Sequence, residues 1–147
     1  MREILFRGAQ KVDGCKSLYW YEGSLVSEKD GYTGEVEHYI QNESGNFLVI
    51  PETVGQYTGL TDKNVTKIFE GDILRYYDDE IQIVEWNKEF SNLMLHTYCK
   101  YERKKGRKVV IENSDGWNWL HDYPLNKMSI IGNIHDNPEL LKEAEQE

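Results

Sequence analysis

Short apolar runs recur along the whole chain, each closed by Gly, Asn, Asp or Ser. They fall at Ile4–Arg7, Lys16–Val26, Glu35–Ile40, Phe47–Ile50, Asp72–Tyr77, Ile81–Trp86, Leu93–Tyr98, Lys108–Ile111, Trp117–His121 and Met128–Ile134. Runs of this length, rich in Val, Ile, Tyr, Phe and Trp, predict strands. Ten of them at close spacing predict an all-β sandwich or barrel. The period of two is plain in Ile81–Trp86: Ile81, Ile83 and Glu85 share one face, and Gln82, Val84 and Trp86 the other. Asp72–Tyr77 is more mixed, as befits a strand near an edge or corner. Gly14, Gly31, Gly45, Gly55, Gly59, Gly71, Gly106 and Gly116 punctuate the runs as turns.

Only the tail has a helical pattern. Asn137 suits an N-cap, Pro138 the first helical position and Glu139 the positive end of the helix dipole, so a short helix is expected over 138–145. At under three turns it needs Leu140 or Leu141 docked on the β core. The segment Pro51–Thr66, with Pro51, Gly55, Gly59 and the polar turn Thr61-Asp62-Lys63-Asn64, marks a boundary. It divides the chain into an N-terminal β subdomain (1–55), a connecting segment (56–66) and a C-terminal subdomain (67–147).

Composition narrows the setting. The chain has 147 residues and a formal charge of −9, with 12% aromatic and 29% charged residues. A chain of this length buries about two-thirds of its unfolded surface, so it needs no disulfide or metal staple. No apolar run is long enough to cross a membrane as a helix, and the first residues do not read as a signal peptide. The two cysteines, Cys15 and Cys99, form no C-x-x-C pair, and a reduced, cytoplasmic protein is expected.

Several blocks are specific. Met1-Arg2-Glu3-Ile4-Leu5-Phe6-Arg7-Gly8 opens the chain. Pro51-Glu52-Thr53-Val54-Gly55 leads into Gln56-Tyr57-Thr58-Gly59-Leu60-Thr61-Asp62-Lys63-Asn64, and Ile68-Phe69-Glu70-Gly71-Asp72-Ile73 follows. Ile131-Gly132-Asn133-Ile134-His135-Asp136-Asn137-Pro138-Glu139-Leu140-Leu141 comes near the end. In this order they resemble the YopX family of bacteriophage and prophage proteins, over nearly the whole chain. The resemblance implies a mainly β protein of two β subdomains, the C-terminal one an SH3-like barrel. It also implies a phage or prophage gene carried in a bacterium, and a tendency to self-associate. It supplies no activity. One departure stands out: the family's usual turn ends Asn-Gly, whereas Val65 follows Asn64 here. A β-branched residue resists positive φ, so a different turn type or a shifted loop is expected. Gly132 within its strand fits a bulge or barrel corner.

Catalytic signatures are sparse. Phosphate-loop, dinucleotide and nucleophile-elbow motifs are absent. His96 and Cys99 fall on opposite faces of a strand, and the pairs His121-Asp122 and His135-Asp136 diverge likewise, so ordinary surface or loop histidines are expected. Asp62–Ile73 fails as a calcium loop, with Lys67 where Gly is required and Ile73 where Glu is required. Asp78-Asp79-Glu80 reads as a solvated hairpin tip. No enzyme, metal or cofactor is expected.

Charge patterning is more telling. Lys100, Arg103, Lys104, Lys105, Arg107 and Lys108, offset by Glu102, give a stretch of +5 in a chain whose remainder is −14. Tyr98 and Tyr101 flank it. Such a hairpin tip is either a solvated or intersubunit loop or a grip on a phosphate backbone, although the acidic remainder repels nucleic acid. Trp117 and Trp119 share one strand face, as core or as a sticky patch for a partner. Trp20 and Trp86 read as core. The candidate binding residues are therefore the basic six, Tyr98, Tyr101, Trp117 and Trp119. The expected function is a non-enzymatic phage or prophage accessory role, exerted by self-association and by binding a host or phage protein. A nucleic-acid-binding module using 100–108 is the alternative.

Overall fold

The computed structural model describes residues 3–14, 17–77, 80–113 and 116–141, with the side chains of 99–104 and 107–113 outside that description. The protein is mainly β, in two antiparallel sheets. The chain forms two compact units, 1–59 and 60–147.

In the first unit, β1 (Phe6–Lys11), β2 (Leu18–Lys29), β3 (Val36–Asn42) and β4 (Gly45–Val49) form a meander, and β5 (Gly55–Thr61) returns beside β1, in the order β4-β3-β2-β1-β5. One strand serves two neighbours: β2 pairs β1 over Leu18–Gly23 and β3 over Ser24–Lys29. Gly23 stands at the changeover because a Cβ there would lie 2.2 Å from the Gln41 carbonyl oxygen. The core is small, built on Ala9, Ile40 and Val49. The buried Thr53 hydroxyl ties it together, accepting from Ala9 N–H at 2.9 Å and donating to the Ile50 carbonyl at 2.6 Å. Tyr21 and Phe47 stack at 3.9 Å. Trp20, expected in the core, is half-buried, with the Arg7 guanidinium 4.7 Å over its ring. A cation over the ring face is a favourable place for a ring that cannot be fully enclosed.

Residues 56–66, expected to connect the halves, contain most of β5 and a hairpin turn. Gly59 (φ 84°) and the polar Gln56, Thr58 and Thr61 hide the strand from a composition-based reading. Past Thr61 the chain turns at 62–66 into β6 (Lys67–Phe69). The turn holds Val65 at a positive φ despite its branched side chain. Val65 N–H donates to the Asp62 carbonyl at 3.0 Å and Val65 sits at φ 62°, a type I turn followed by a left-handed residue. Asp62 holds it there: Oδ1 accepts from Asn64 and Thr66 N–H at 2.8 and 3.0 Å, and Oδ2 from Ile130 N–H at 3.0 Å.

The second unit's sheet has the order β10-β9-β8-β7-β12, from β7 (Asp72–Tyr76), β8 (Glu80–Asn87), β9 (Asn92–Lys104), β10 (Arg107–Asn113) and β12 (Ser129–Asn133). β11 (Trp117–Trp119) pairs β9 beside β10. The SH3-like barrel is not formed: among the described residues β10 and β12 end the sheet on opposite sides and no sheet closes. Instead, Leu125 and Met128, from the segment of 3-10 turns between β11 and β12, pack on Ile68, Leu74, Val84 and Leu95. Trp86 lies two residues beyond Val84 on that face, outside this core cluster, and is 50% exposed rather than core.

A buried polar network crosses the same sheet. Thr97 Oγ1 donates to Gln82 Oε1 and accepts from Asn118 Nδ2, both at 3.0 Å, while Gln82 Nε2 reaches Glu80 Oε2 at 3.2 Å. Gly132 follows a bulge in the β12–β7 ladder, where a Cβ would meet Asn137 Oδ1 at 2.4 Å. That oxygen accepts from Asn133 N–H at 3.2 Å, so the Asn137 side chain points to the bulge rather than capping the helical turn that starts at Glu139. Residues 142–145 of the expected helix lie outside the described residues.

Candidate functional site: an aromatic row and a basic hairpin

β11 alternates Trp117, Asn118 and Trp119 across the sheet. Asn118 points to the buried Thr97 hydroxyl, which fixes both tryptophans on the other face. Their neighbours extend them into a row. Trp117 pairs with His96 in register, and the two rings stack at 4.3 Å with an interplanar angle of 5°. His96 Nδ1 lies 2.9 Å from Glu85 Oε2, so this histidine belongs to the sheet and not to a loop or an open surface. Trp119 packs against Phe90 at 5.1 Å and His121 at 6.1 Å. The tryptophans are half-buried, while Phe90 is 51% exposed.

His121 and Asp122 do not diverge as strand neighbours would. Leu120–Asp122 is a 3-10 turn, which brings His121 Nε2 to 3.4 Å from Asp122 Oδ1. Asp62 gives both carboxylate oxygens to backbone N–H groups of its own hairpin and of β12. Among the described residues, no three His, Cys, Asp or Glu side chains are grouped to hold a metal ion. Cys15 and residues 78–79 of the acidic tip lie outside the described residues, as does the Cys99 side chain.

The basic stretch is a hairpin, as its sequence indicates. β8 leaves β9 at Glu80 opposite Lys100, and β9 then continues to Lys104 paired with β10. Lys105 and Gly106 form its two-residue turn, at φ 52° and 78°. Two consecutive positive φ values make the primed turn that suits strand twist, and Gly106 takes one without strain. In register, Arg103 stands opposite Lys108 and Lys104 opposite Arg107. Lys105 is exposed and Tyr98 half-buried. The side chains of Lys100, Tyr101, Arg103, Lys104, Arg107 and Lys108 lie outside the described residues, so the hairpin is defined by backbone and register.

The structure places the tryptophans, on β11, and the basic tip, on β9 and β10, along the length of β9 but not in one site. Trp117 is opposite His96, and Lys104 lies eight residues further along β9. At about 3.3 Å per residue that is roughly 26 Å, too far for one short ligand to touch both. The Glu85–His96–Trp117 stack was not legible in the sequence, because its members come from three strands and only register joins them.

No helix among the described residues is long and apolar enough to cross a membrane. No curated protein matches the chain. Among solved structures it is similar to protein EF1440 from Enterococcus faecalis, at 23% identity and a TM-score of 0.42, covering 96% of this chain and 99% of that one. The YopX protein family matches residues 11–142, a span that includes every described strand of the second unit, and the chain belongs to that family.

Proposed function

We propose that the protein is a non-enzymatic accessory protein of a phage or prophage, working in the bacterial cytoplasm by protein–protein binding that includes its own second copy. One observation carries the reading. The row Trp117, His96, Trp119, Phe90 and His121 keeps large rings partly open to solvent on a rigid sheet. Aromatic side chains of this kind dominate binding energy at interfaces, because they bury much area with little loss of side-chain freedom. Charge separation supports a second copy as the occupant: a +5 hairpin and a −14 remainder in one chain favour head-to-body attraction.

The test is static light scattering on wild type and on Phe90→Ala/Trp119→Ala at micromolar concentration. An oligomer that the double variant shifts toward monomer supports the reading. A strict monomer in wild type, with no protein partner retained, sinks it.

A second reading is favoured by the hairpin register, which sets cationic residues opposite cationic residues. Like charges directly opposite destabilise a ladder unless an anion lies against them. In this reading the hairpin grips a nucleic-acid backbone. Fluorescence anisotropy with double- and single-stranded DNA and with RNA, at about 50 and 200 mM salt, decides it. Binding that weakens steeply with salt and disappears in Lys104→Glu/Lys105→Glu/Arg107→Glu supports it, and no binding at the lower salt removes it.

A further inference from the structure

Three cations from three separate stretches of the second unit converge on one surface basin. Lys63, Arg75 and Lys127 line it together with Tyr77, Asn126 and Ser129, around a volume of about 530 Å³. Lys63 comes from the turn before β6, Arg75 from β7 and Tyr77 from the residue after it, and Asn126 and Lys127 from the 3-10 turn Leu125–Lys127. Ser129 opens β12, opposite Arg75 in register. None of the described residues that line the basin is acidic, although the chain carries −9. Among the described residues, none of the three cations has an ion-pair partner. The nearest acid in sequence, Asp62, has both oxygens turned to backbone N–H groups.

The frame around these side chains is fixed. The Asp62 carboxylate joins the 62–66 turn to β12 through Ile130 N–H, and Lys63 N–H donates to the Met128 carbonyl at 2.9 Å. Tyr77 is held at φ 52° with its side chain 63% exposed at the rim. An L-residue persists in that conformation only where its surroundings impose it, and such positions concentrate at functional sites.

We propose that this basin binds a phosphate-bearing small molecule of the mononucleotide class, its phosphates held by Lys63, Arg75 and Lys127 and its base against Tyr77. Three gathered positive charges repel one another, and a multivalent anion relieves that repulsion. Arginine offers a planar fork to phosphate oxygens, and the two lysines add point charges. Asn126 and Ser129 supply uncharged hydrogen bonds. The volume falls in the range of small-ligand sites, about 300–1,000 Å³. An exposed tyrosine ring at the rim provides a stacking face for a base. A free nucleotide fits better than a strand of nucleic acid, because the acidic remainder of the chain repels a long polyanion far more than a ligand of a few charges.

The site uses none of the residues of the aromatic row or the hairpin, so its test is independent of theirs. Isothermal titration of the full chain against ADP, pyrophosphate and adenosine at about 50 mM salt reads it directly. The expected result is saturable ADP binding with a Kd below about 1 mM, at least about fivefold tighter than pyrophosphate, and no measurable adenosine binding. Arg75→Ala and Lys127→Ala each weaken ADP by about tenfold or more with an unchanged melting temperature. Tyr77→Ala lowers ADP binding to the pyrophosphate level. No saturable binding of ADP and pyrophosphate overturns the proposal, as does binding indifferent to Arg75→Ala and Lys127→Ala. ADP no tighter than pyrophosphate overturns the assignment to nucleotides. Should Arg75→Ala fail to fold, Lys127→Ala, at an exposed position, carries the same test.

Discussion

Val65 is a β-branched residue in the left-handed region, 79% exposed and with φ of 62°. That conformation costs an L-residue about 1–2 kcal/mol, more when the side chain branches at Cβ. Glycine there removes the strain but loses more backbone entropy on folding, about 0.5–1 kcal/mol. Val65→Gly should therefore stabilise the protein by about 0.5–1 kcal/mol, seen as a higher urea midpoint with an unchanged slope. Asp62 is what makes the strain tolerable. Burial alone would raise its carboxyl, but N–H groups of Ile130, Thr66 and Asn64, with Lys63 nearby, outweigh burial and hold it below its usual 3.8. A depressed folded pKa contributes stability that is fully present above the unfolded value and is lost as pH falls through the folded one. Asp62→Asn leaves the turn with fewer acceptors and should cost about 1–3 kcal/mol near neutral pH. Urea midpoints for the two proteins should converge as pH falls below the usual 3.8 and through the lowered folded value. A gap that persists undiminished there would mean that the charge is not what matters.

At the scale of elements, β2 is the most exposed to a single change. Its two halves pair different strands, and the changeover depends on Gly23 lying against the Gln41 carbonyl. The obstacle to a side chain is backbone, which cannot rotate aside as a flexible side chain would. Gly23→Ala should cost about 3 kcal/mol, at the upper end for overpacking. The first unit has little reserve, with Ala9, Ile40 and Val49 as the buried apolar residues among those described. Amide exchange in that variant should accelerate across β1–β4 while β7–β9 keep their protection. Equal acceleration in both would show the two units to be one cooperative block. Strands of the second unit were largely legible, because Ile81–Trp86 and Leu93–Tyr98 are short runs rich in apolar and aromatic residues. β5 was not, since register with β1 rather than composition makes it a strand.

At the scale of the molecule, charge is the dominant asymmetry: −9 overall, with +5 in one hairpin. The proposed self-association, if driven partly by that asymmetry, should weaken as salt rises from about 50 to about 500 mM, because screening shortens the reach of exposed charges. Light scattering should then show a falling mean mass. A mass that stays constant across this range would assign the contact to the aromatic row alone.

The sequence by itself determined the mainly β class, the family, the basic hairpin and the shared face of Trp117 and Trp119, because each follows from local alternation or from contiguous residues. Tertiary structure alone decided that the second sheet stays open, that Trp86 reaches solvent, and that Val65 keeps its positive φ. It also decided that His96 joins Glu85 to Trp117, and that Lys63, Arg75 and Lys127 share a basin. The physical reason is common to all of these. They depend on which strands become neighbours and on what covers their faces, and those relations join residues tens of positions apart that no local pattern marks as partners.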